Sequence, residues 1–189
     1  MGRIVISESV TLDGVTQDPN GDEGFDRGGW FPQPGSHDRD AWADLQIEEA
    51  MTADALLLGR RSDEFFAKRW LPRSGRWADR LNSLPKFVVA GEGHRPEWGN
   101  ATLITGDVLG RTARLRREFT GDIVVYASGR LTRMLIEHDL ADEMRLVVHP
   151  LIAGGGERLF GSTTHPKSLR LVSTAAVGDQ LVRLTYQRG

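Results

Sequence analysis

Ala55-Leu56-Leu57-Leu58-Gly59-Arg60-Arg61-Ser62 decides the fold: an unbroken apolar run stops at a glycine and helix-like sequence begins at once. A run with no polar alternation reads as a strand covered on both faces, and such strands are usually parallel. The pattern recurs. Phe87-Val88-Val89-Ala90 stops at Gly91, another strand-like run stops at Thr105-Gly106-Asp107, and Ile123-Val124-Val125-Tyr126 leads into Ser128-Gly129-Arg130. Leu146-Val147-Val148 is one more apolar run, and helix-like pieces at residues 62–68, 108–119 and 131–138 alternate with the strands. Strand and helix in alternation predict an α/β sandwich around a mostly parallel sheet. A glycine turn feeding a helix also bares backbone N–H groups at the positive end of the helix dipole, where an anion can approach closely. Several such turns along one sheet edge suit an extended phosphate-bearing cofactor better than a small metabolite.

The flanks differ from this centre. Residues 3–9 read as a first strand, followed by a glycine- and aspartate-rich segment to about Ser36, too long for a passive connector and expected to be a binding loop or lid. Residues 38–52 read as a helix, with Ala43, Ile47, Ala50 and Met51 on one stripe and Ser36 or Asp38 available as N-cap. Residues 169–173 and 181–187 alternate with no helix between them, which predicts an antiparallel hairpin at one sheet edge. No repeat or linker divides the chain, so a single domain over residues 1–189 is expected.

The 189 residues carry a net charge of −2, with 39% hydrophobic and 26% charged residues, and give no basic stripe for nucleic acid. The cysteine count is zero, which excludes disulfides, thiolate metal sites and cysteine nucleophiles. No stretch approaches the roughly 20 apolar residues of a membrane span. Met1-Gly2-Arg3-Ile4 leads straight into a strand pattern, and Ile6 stands where a myristoylation motif needs Ser or Thr, so a cytoplasmic protein is expected.

Familiar motifs fail on inspection. Gly91-Glu92-Gly93-His94-Arg95-Pro96 begins like a dinucleotide fingerprint but ends in proline, and no lysine follows a glycine as a P-loop requires. The acidic run from Asp18 has Glu23 where a calcium loop turns on glycine and Gly29 where its last ligand belongs. His37, His94, His138, His149 and His165 form no i,i+4 pair, and no metal site is expected. Ser128 follows a strand and precedes a helix as a hydrolase nucleophile does, yet Tyr126 occupies the position of the first glycine of G-x-S-x-G. Arg60 and Arg61, beside a helix start, can clamp a phosphate bidentately or merely pair with Asp63 and Glu64. With no acidic residue placed for a ribose hydroxyl, they favour NADP over NAD.

Taken in order, the segments resemble the dihydrofolate reductase fold, and within it the reductase domain of bacterial riboflavin biosynthesis. The likeness rests on Ser9-Val10-Thr11-Leu12-Asp13-Gly14, Leu58-Gly59-Arg60-Arg61-Ser62-Asp63-Glu64, Ala127-Ser128-Gly129-Arg130-Leu131, and Ala141-Asp142-Glu143-Met144-Arg145 through His149-Pro150 into Gly154-Gly155-Gly156-Glu157-Arg158-Leu159-Phe160. It covers nearly the whole chain. The resemblance implies a three-layer αβα sandwich whose mixed sheet ends in an antiparallel C-terminal hairpin, and NADPH across the strand ends. Gly59, Arg60, Arg61 and Ser62 would then hold phosphate, Ala90 and Gly91 would flank the adenosine end, and Ala127, Ser128, Gly129, Arg130 and Leu131 would offer N–H groups to the pyrophosphate. Asp13, Trp30, Phe31 and Tyr126 fall on the substrate and loop side. Folate reductases carry one carboxylate early in the first helix; Asp40 is the expected proton donor, with Asp38 and Asp44 as alternatives. Tyr126 stands where the riboflavin enzymes carry a substrate-facing glutamate, and Gly91 where folate reductases offer serine, leaving Arg60 and Arg61 to read the 2′-phosphate. The implied activity is hydride transfer from NADPH to a C=N or C=O bond of a small heterocycle, of the pterin or ribosylaminopyrimidine kind. The implied assembly is a homodimer, supported by the glycine-rich segment at 153–156. The rival readings are a non-catalytic nucleotide-binding module on the same fold and a hydrolase using Ser128.

Overall fold

The computed structural model describes residues 1–33 and 35–189, so Pro34 of the long loop lies outside the described residues. Its strands are β1 (Arg3–Thr11), β2 (Ala53–Gly59), β3 (Lys86–Val89), β4 (Ala101–Ile104), β5 (Asp122–Tyr126), β6 (Glu143–His149), β7 (Leu169–Val177) and β8 (Leu181–Arg188). Its helices are α1 (His37–Thr52), α2 (Arg60–Trp70), α3 (Arg76–Ser83), α4 (Val108–Glu118) and α5 (Gly129–Glu137). The strands form one eight-stranded sheet in the order β4-β3-β2-β5-β1-β6-β8-β7. Neighbours from β4 to β6 run parallel, while β8 lies antiparallel to β6 and β7 antiparallel to β8. The carboxyl ends of the six parallel strands therefore share one rim.

Side-chain alternation along the strands builds the layers. Ala55 and Leu57 of β2 join Ile4, Ile6, Ile123 and Val125 in a core under α4 and α5, while Leu56, Leu58 and Val124 face a second core with α1, α2 and α3. A smaller cluster of Val147, Val177 and Leu181 meets Ala41, Trp42 and Leu45 of α1. The expected α/β sandwich and its antiparallel edge are both present. α3 was not foreseen: it is eight residues long and buries only Ala78 and Leu81, too brief a pattern to signal a helix.

α1 departs from the expected apolar stripe. Only Ala50 of that stripe is buried, and the helix instead buries Asp38, Gln46 and Glu49. The reason is a charged layer beneath it. Arg145 of β6 binds Glu49 at 2.9 Å, Asp122 at 2.6 Å and Glu143 at 2.6 Å, and Arg3 adds contacts to Asp122 and Glu143 at 2.7 and 3.0 Å. The start of α1 is capped by Ser36, whose hydroxyl accepts from Arg39 N–H. Gly178 in the β7–β8 turn packs so tightly on this start that an added Cβ would lie 2.4 Å from the Asp38 carboxylate. That carboxylate accepts from the N–H groups of Asp179 at 2.6 Å and Gln180 at 3.1 Å. Among the described residues no helix is long and apolar enough to cross a membrane.

Candidate active site

A cavity of about 620 Å³ opens at the shared rim, lined by residues from the ends of β1, β2, β3 and β5. Its first wall joins two turns. Gly59 to Ser62 enter α2, and Tyr126 to Leu131 pass through Ala127 (φ 49°) and Ser128 (φ 68°) into α5. The left-handed residues here are alanine and serine, an arrangement that side chains adopt only under constraint from their surroundings. The constraint is visible: Gly59 N–H donates to Ser128 Oγ at 2.9 Å, and that hydroxyl lies 2.8 Å from Ser62 Oγ and 3.0 Å from the Tyr126 carbonyl. The two helix starts are thus bound to each other. Thr132 N–H closes the first turn of α5 onto the Ser128 carbonyl. The N–H groups of Gly129, Arg130 and Leu131 ahead of it have no acceptor among the described residues, and they sit at the positive helix end.

The second wall is aromatic and cationic. Phe31, Trp42, Phe65, Phe66, Trp70 and Trp77 line it together with Arg39, Arg69 and Arg73. The Arg39 guanidinium lies 4.6 Å from the Phe31 ring and 4.7 Å from Trp42, and Arg73 lies 5.4 Å from Trp70. Burial lowers the Arg39 pKa, and the charges of Arg69 and Arg73 lower it further; Arg69 is lowered by burial and by Arg73. Tyr126 lines the cavity with its phenol held well above the ordinary pKa, by burial first and then by the nearby Glu49 charge. Among the described residues neither the Tyr126 hydroxyl nor Glu49 Oε1 makes a hydrogen bond of full geometry, although the two groups lie close enough for the carboxylate to act on the phenol.

The long loop forms the third side. Asp18 knits it: the carboxylate accepts from Glu23 and Phe25 N–H groups, and the carbonyl from Gly21 and Gly29. Trp30 packs edge-on against His149 at 5.0 Å and donates to the Gln17 carbonyl, whereas Phe31 reaches the cavity. Burial pushes the His149 imidazole down to about 4.

Several residues singled out from the sequence lie elsewhere. Asp40 and Asp44 are exposed and outside the cavity lining, and Asp38 is occupied by the β7–β8 turn, so none of the three aspartates faces the cavity. Asp13 accepts from Thr11 Oγ1 at 2.7 Å and from the N–H groups of Ala153 and Gly154 at 3.0 and 2.9 Å. The Thr11 bond is the main cause of its pKa falling to about 2, and Asp13 anchors the glycine-rich segment outside the cavity. Ala90 and Gly91 do not line the cavity, although the adjoining Val89 does. The Gly106 turn serves only its own helix, where Asp107 caps Gly110. Ser128 has no histidine or carboxylate among its hydrogen-bond partners, and the constellation of a hydrolase nucleophile is missing among the described residues.

Sequence reasoning passed over Glu8, Arg39, Arg69 and Arg73. Glu8 of β1 lines the cavity without a hydrogen-bond or ion-pair partner among the described residues, and burial raises its carboxyl to about 8. Its signal was available, because Ile4, Ile6 and Val10 share one face of the strand and a glutamate interrupts that alternation.

Residues 3–183 match the RibD C-terminal domain family. The chain belongs to this family. It is similar to the uncharacterized protein YyaP of Bacillus subtilis (strain 168), with 24% identity over 193 residues that cover 97% of this chain and 94% of that one. Among solved structures it is similar to a putative riboflavin biosynthesis protein of Shewanella sp. PV-4, with a TM-score of 0.73 and 24% identity over 99% of both chains. It is also similar to the dihydrofolate reductase of Enterococcus faecalis, solved with NADP(H), with a TM-score of 0.65 and 16% identity over 99% of this chain and 96% of that one. At these identities the structural likeness speaks for the fold, and the mixed sheet with its antiparallel C-terminal strands is the dihydrofolate reductase-like one.

Proposed function

We propose that this protein is an NADPH-dependent reductase that passes a hydride to a C=N or C=O bond of a small heterocyclic substrate, of the pterin or ribosylaminopyrimidine kind. One observation carries the reading: two helix starts, tied together through the Ser128 hydroxyl, border a single cavity that continues to an aromatic, arginine-rich wall. The residues fit the cofactor. The free N–H groups of Gly129, Arg130 and Leu131 suit a pyrophosphate, and Arg60 and Arg61 suit the 2′-phosphate. When bound, NADPH would supply the hydride and its two electrons. The chain's part is to hold and orient both reactants, to exclude water beneath the loop that Asp18 knits, and to deliver a proton. Family membership and a dihydrofolate reductase solved with NADP(H) on the same fold support this reading.

The aromatic wall extends it to substrate chemistry. Planar side chains accept a flat ring, and three guanidiniums without a carboxylate ion-pair partner among the described residues suit an anionic substituent on that ring. The homodimer and the cytoplasmic setting belong to the same reading; the exposed Leu169, Leu171 and Val172 of β7 are the surface that a second copy would cover, and a monomeric mass by light scattering would refute the pairing.

A thermal-shift titration with NADPH, NADH, FMN and folate tests the cofactor, since stabilisation follows RT ln(1 + [L]/Kd) and ranks the ligands directly. NADPH is expected to stabilise most. The Arg60→Ala, Arg61→Ala double variant is expected to bind NADPH about ten- to a hundredfold more weakly, as the loss of one or two charge-assisted bonds implies. NADH affinity should change little. Arg60 is free to serve, because its 3.4 Å contact with Glu64 is an exposed pair of small worth. Equal losses for both nucleotides would mean that these arginines do not read the 2′-phosphate.

A non-catalytic nucleotide-binding module is the competing reading, motivated by aspartates on α1 that fail to reach the cavity. Tight NADPH binding with no cofactor oxidation across pterins, aminopyrimidines and aldehydes would favour it.

A further inference from the structure

With the α1 aspartates turned away, the cavity needs another source of the proton that accompanies the hydride. We propose that Glu8 is the proton donor, its carboxyl O–H protonating the nitrogen or oxygen of the C=N or C=O bond as the carbon is reduced. This inference rests on the reductase reading.

The placement is anomalous in a way that packing does not explain. Glu8 occupies the strand face whose other members, Ile4, Ile6 and Val10, belong to the core under α4 and α5. It lines the cavity, whose lining also includes the apolar Leu131 and Met134 of α5. A carboxylate so placed without a hydrogen bond or counter-ion opposes folding. Protonated, it is tolerated there and carries a donor toward the cavity. A raised carboxyl pKa near 8, caused by burial alone, agrees with the protonated form at neutral pH. Other charged groups share the cavity: Arg60, Arg61 and Arg130 at the helix starts, Asp18, Glu23 and Glu157 on the loops, and the three arginines of the aromatic wall. None contributes to the Glu8 shift. Arg145 on the neighbouring strand β6 is engaged with Glu49, Asp122 and Glu143.

The step balances. The π pair of the C=N or C=O bond forms the new N–H or O–H bond with the Glu8 proton, the carbon gains the hydride given up as NADPH becomes NADP⁺, and Glu8 is left as a carboxylate that regains a proton from water. Loss of a positioned general acid costs about 10²- to 10⁴-fold in rate.

The experiment compares wild type with Glu8→Gln and Glu8→Asp in NADPH oxidation with dihydropterin, dihydrofolate, aminopyrimidine-riboside and aldehyde substrates. For any substrate turned over by wild type, Glu8→Gln is expected to lose at least about a hundredfold in kcat with its NADPH affinity unchanged. Glu8→Asp should recover part of that loss. Wild-type kcat should fall as pH rises through about 8, a limb that Glu8→Gln lacks. A second readout needs no substrate. Because the folded-state pKa lies above the unfolded value, wild-type stability declines between about pH 4.5 and about pH 8, and Glu8→Gln should gain in melting temperature over wild type across that window. Full turnover by Glu8→Gln with an unchanged pH profile, or melting curves that run parallel across the window, overturns the assignment and leaves the reductase reading intact. Wild-type failure with every substrate overturns the reductase reading, and the assignment with it.

Discussion

Arg145→Ala should cost about 3–5 kcal/mol of folding stability, the range for removing one partner of a buried ion cluster. The side chain is 11% exposed and touches three carboxylates at 2.6 to 2.9 Å. Burial works against the charged guanidinium, yet Glu49, Asp122 and Glu143 outweigh it and raise the pKa above the ordinary arginine value. Without Arg145, Arg3 still reaches Asp122 and Glu143, but Glu49 loses its only ion-pair partner among the described residues. Among the described residues Glu49 Oε1 makes no hydrogen bond of full geometry, and the carboxylate lies close to the Tyr126 phenol. Two orphaned polar groups would then lie beneath α1, next to the cavity wall. Urea unfolding checks the expectation: the midpoint should fall with the slope unchanged. Arg145→Lys, a point charge without the planar fork, should recover only part of the loss. A loss under about 1 kcal/mol would place this cluster with ordinary surface pairs.

How far the sequence could be read follows from the length and sign of each signal. Unbroken runs such as Ala55–Leu58 and Ile123–Tyr126 announce buried parallel strands because both faces must be apolar, and the observed sheet obeys them. The C-terminal hairpin was equally plain from its alternation. α1 misled in its stripe because the inward face is decided by a distant partner: Glu49 is buried only because Arg145, far along the chain, arrives beneath it. The same reason governs the site. The Gly59 and Ser128 turns carry local signals, and the fold brings them together. The folate-reductase resemblance points to Asp40 by its place in the helix, which does not say which way a helix face turns; that depends on the capture of Asp38 by the β7–β8 turn. Arg39 belongs to α1, whereas Arg69 and Arg73 lie four residues apart at and just past the end of α2, and no short window of sequence shows the two groups meeting.

That convergence gives the second large effect. Arg39 and Arg73 pack against aromatic faces and Arg69 shares their wall; with no carboxylate ion-pair partner among the described residues, the three charges repel one another. That mutual repulsion is a standing cost that a bound anion converts into affinity. The charges therefore act oppositely on the empty and the occupied site. Arg69→Met with Arg73→Met keeps most of the apolar stem and removes two charges. With NADPH saturating, so that the cofactor phosphate positions are filled, inorganic phosphate should stabilise wild type and bind the double variant about a hundredfold more weakly, as expected for two lost charge-assisted hydrogen bonds. Without any anion the variant should melt higher than wild type, because relief of repulsion exceeds the loss of the exposed Arg73 contact with Trp70. Parallel titration with acetate separates a site built for a dianion from one that accepts a carboxylate. If phosphate stabilises both proteins equally, or if the empty variant melts lower, the arginines serve the packing of the aromatic wall and the substrate need carry no charge.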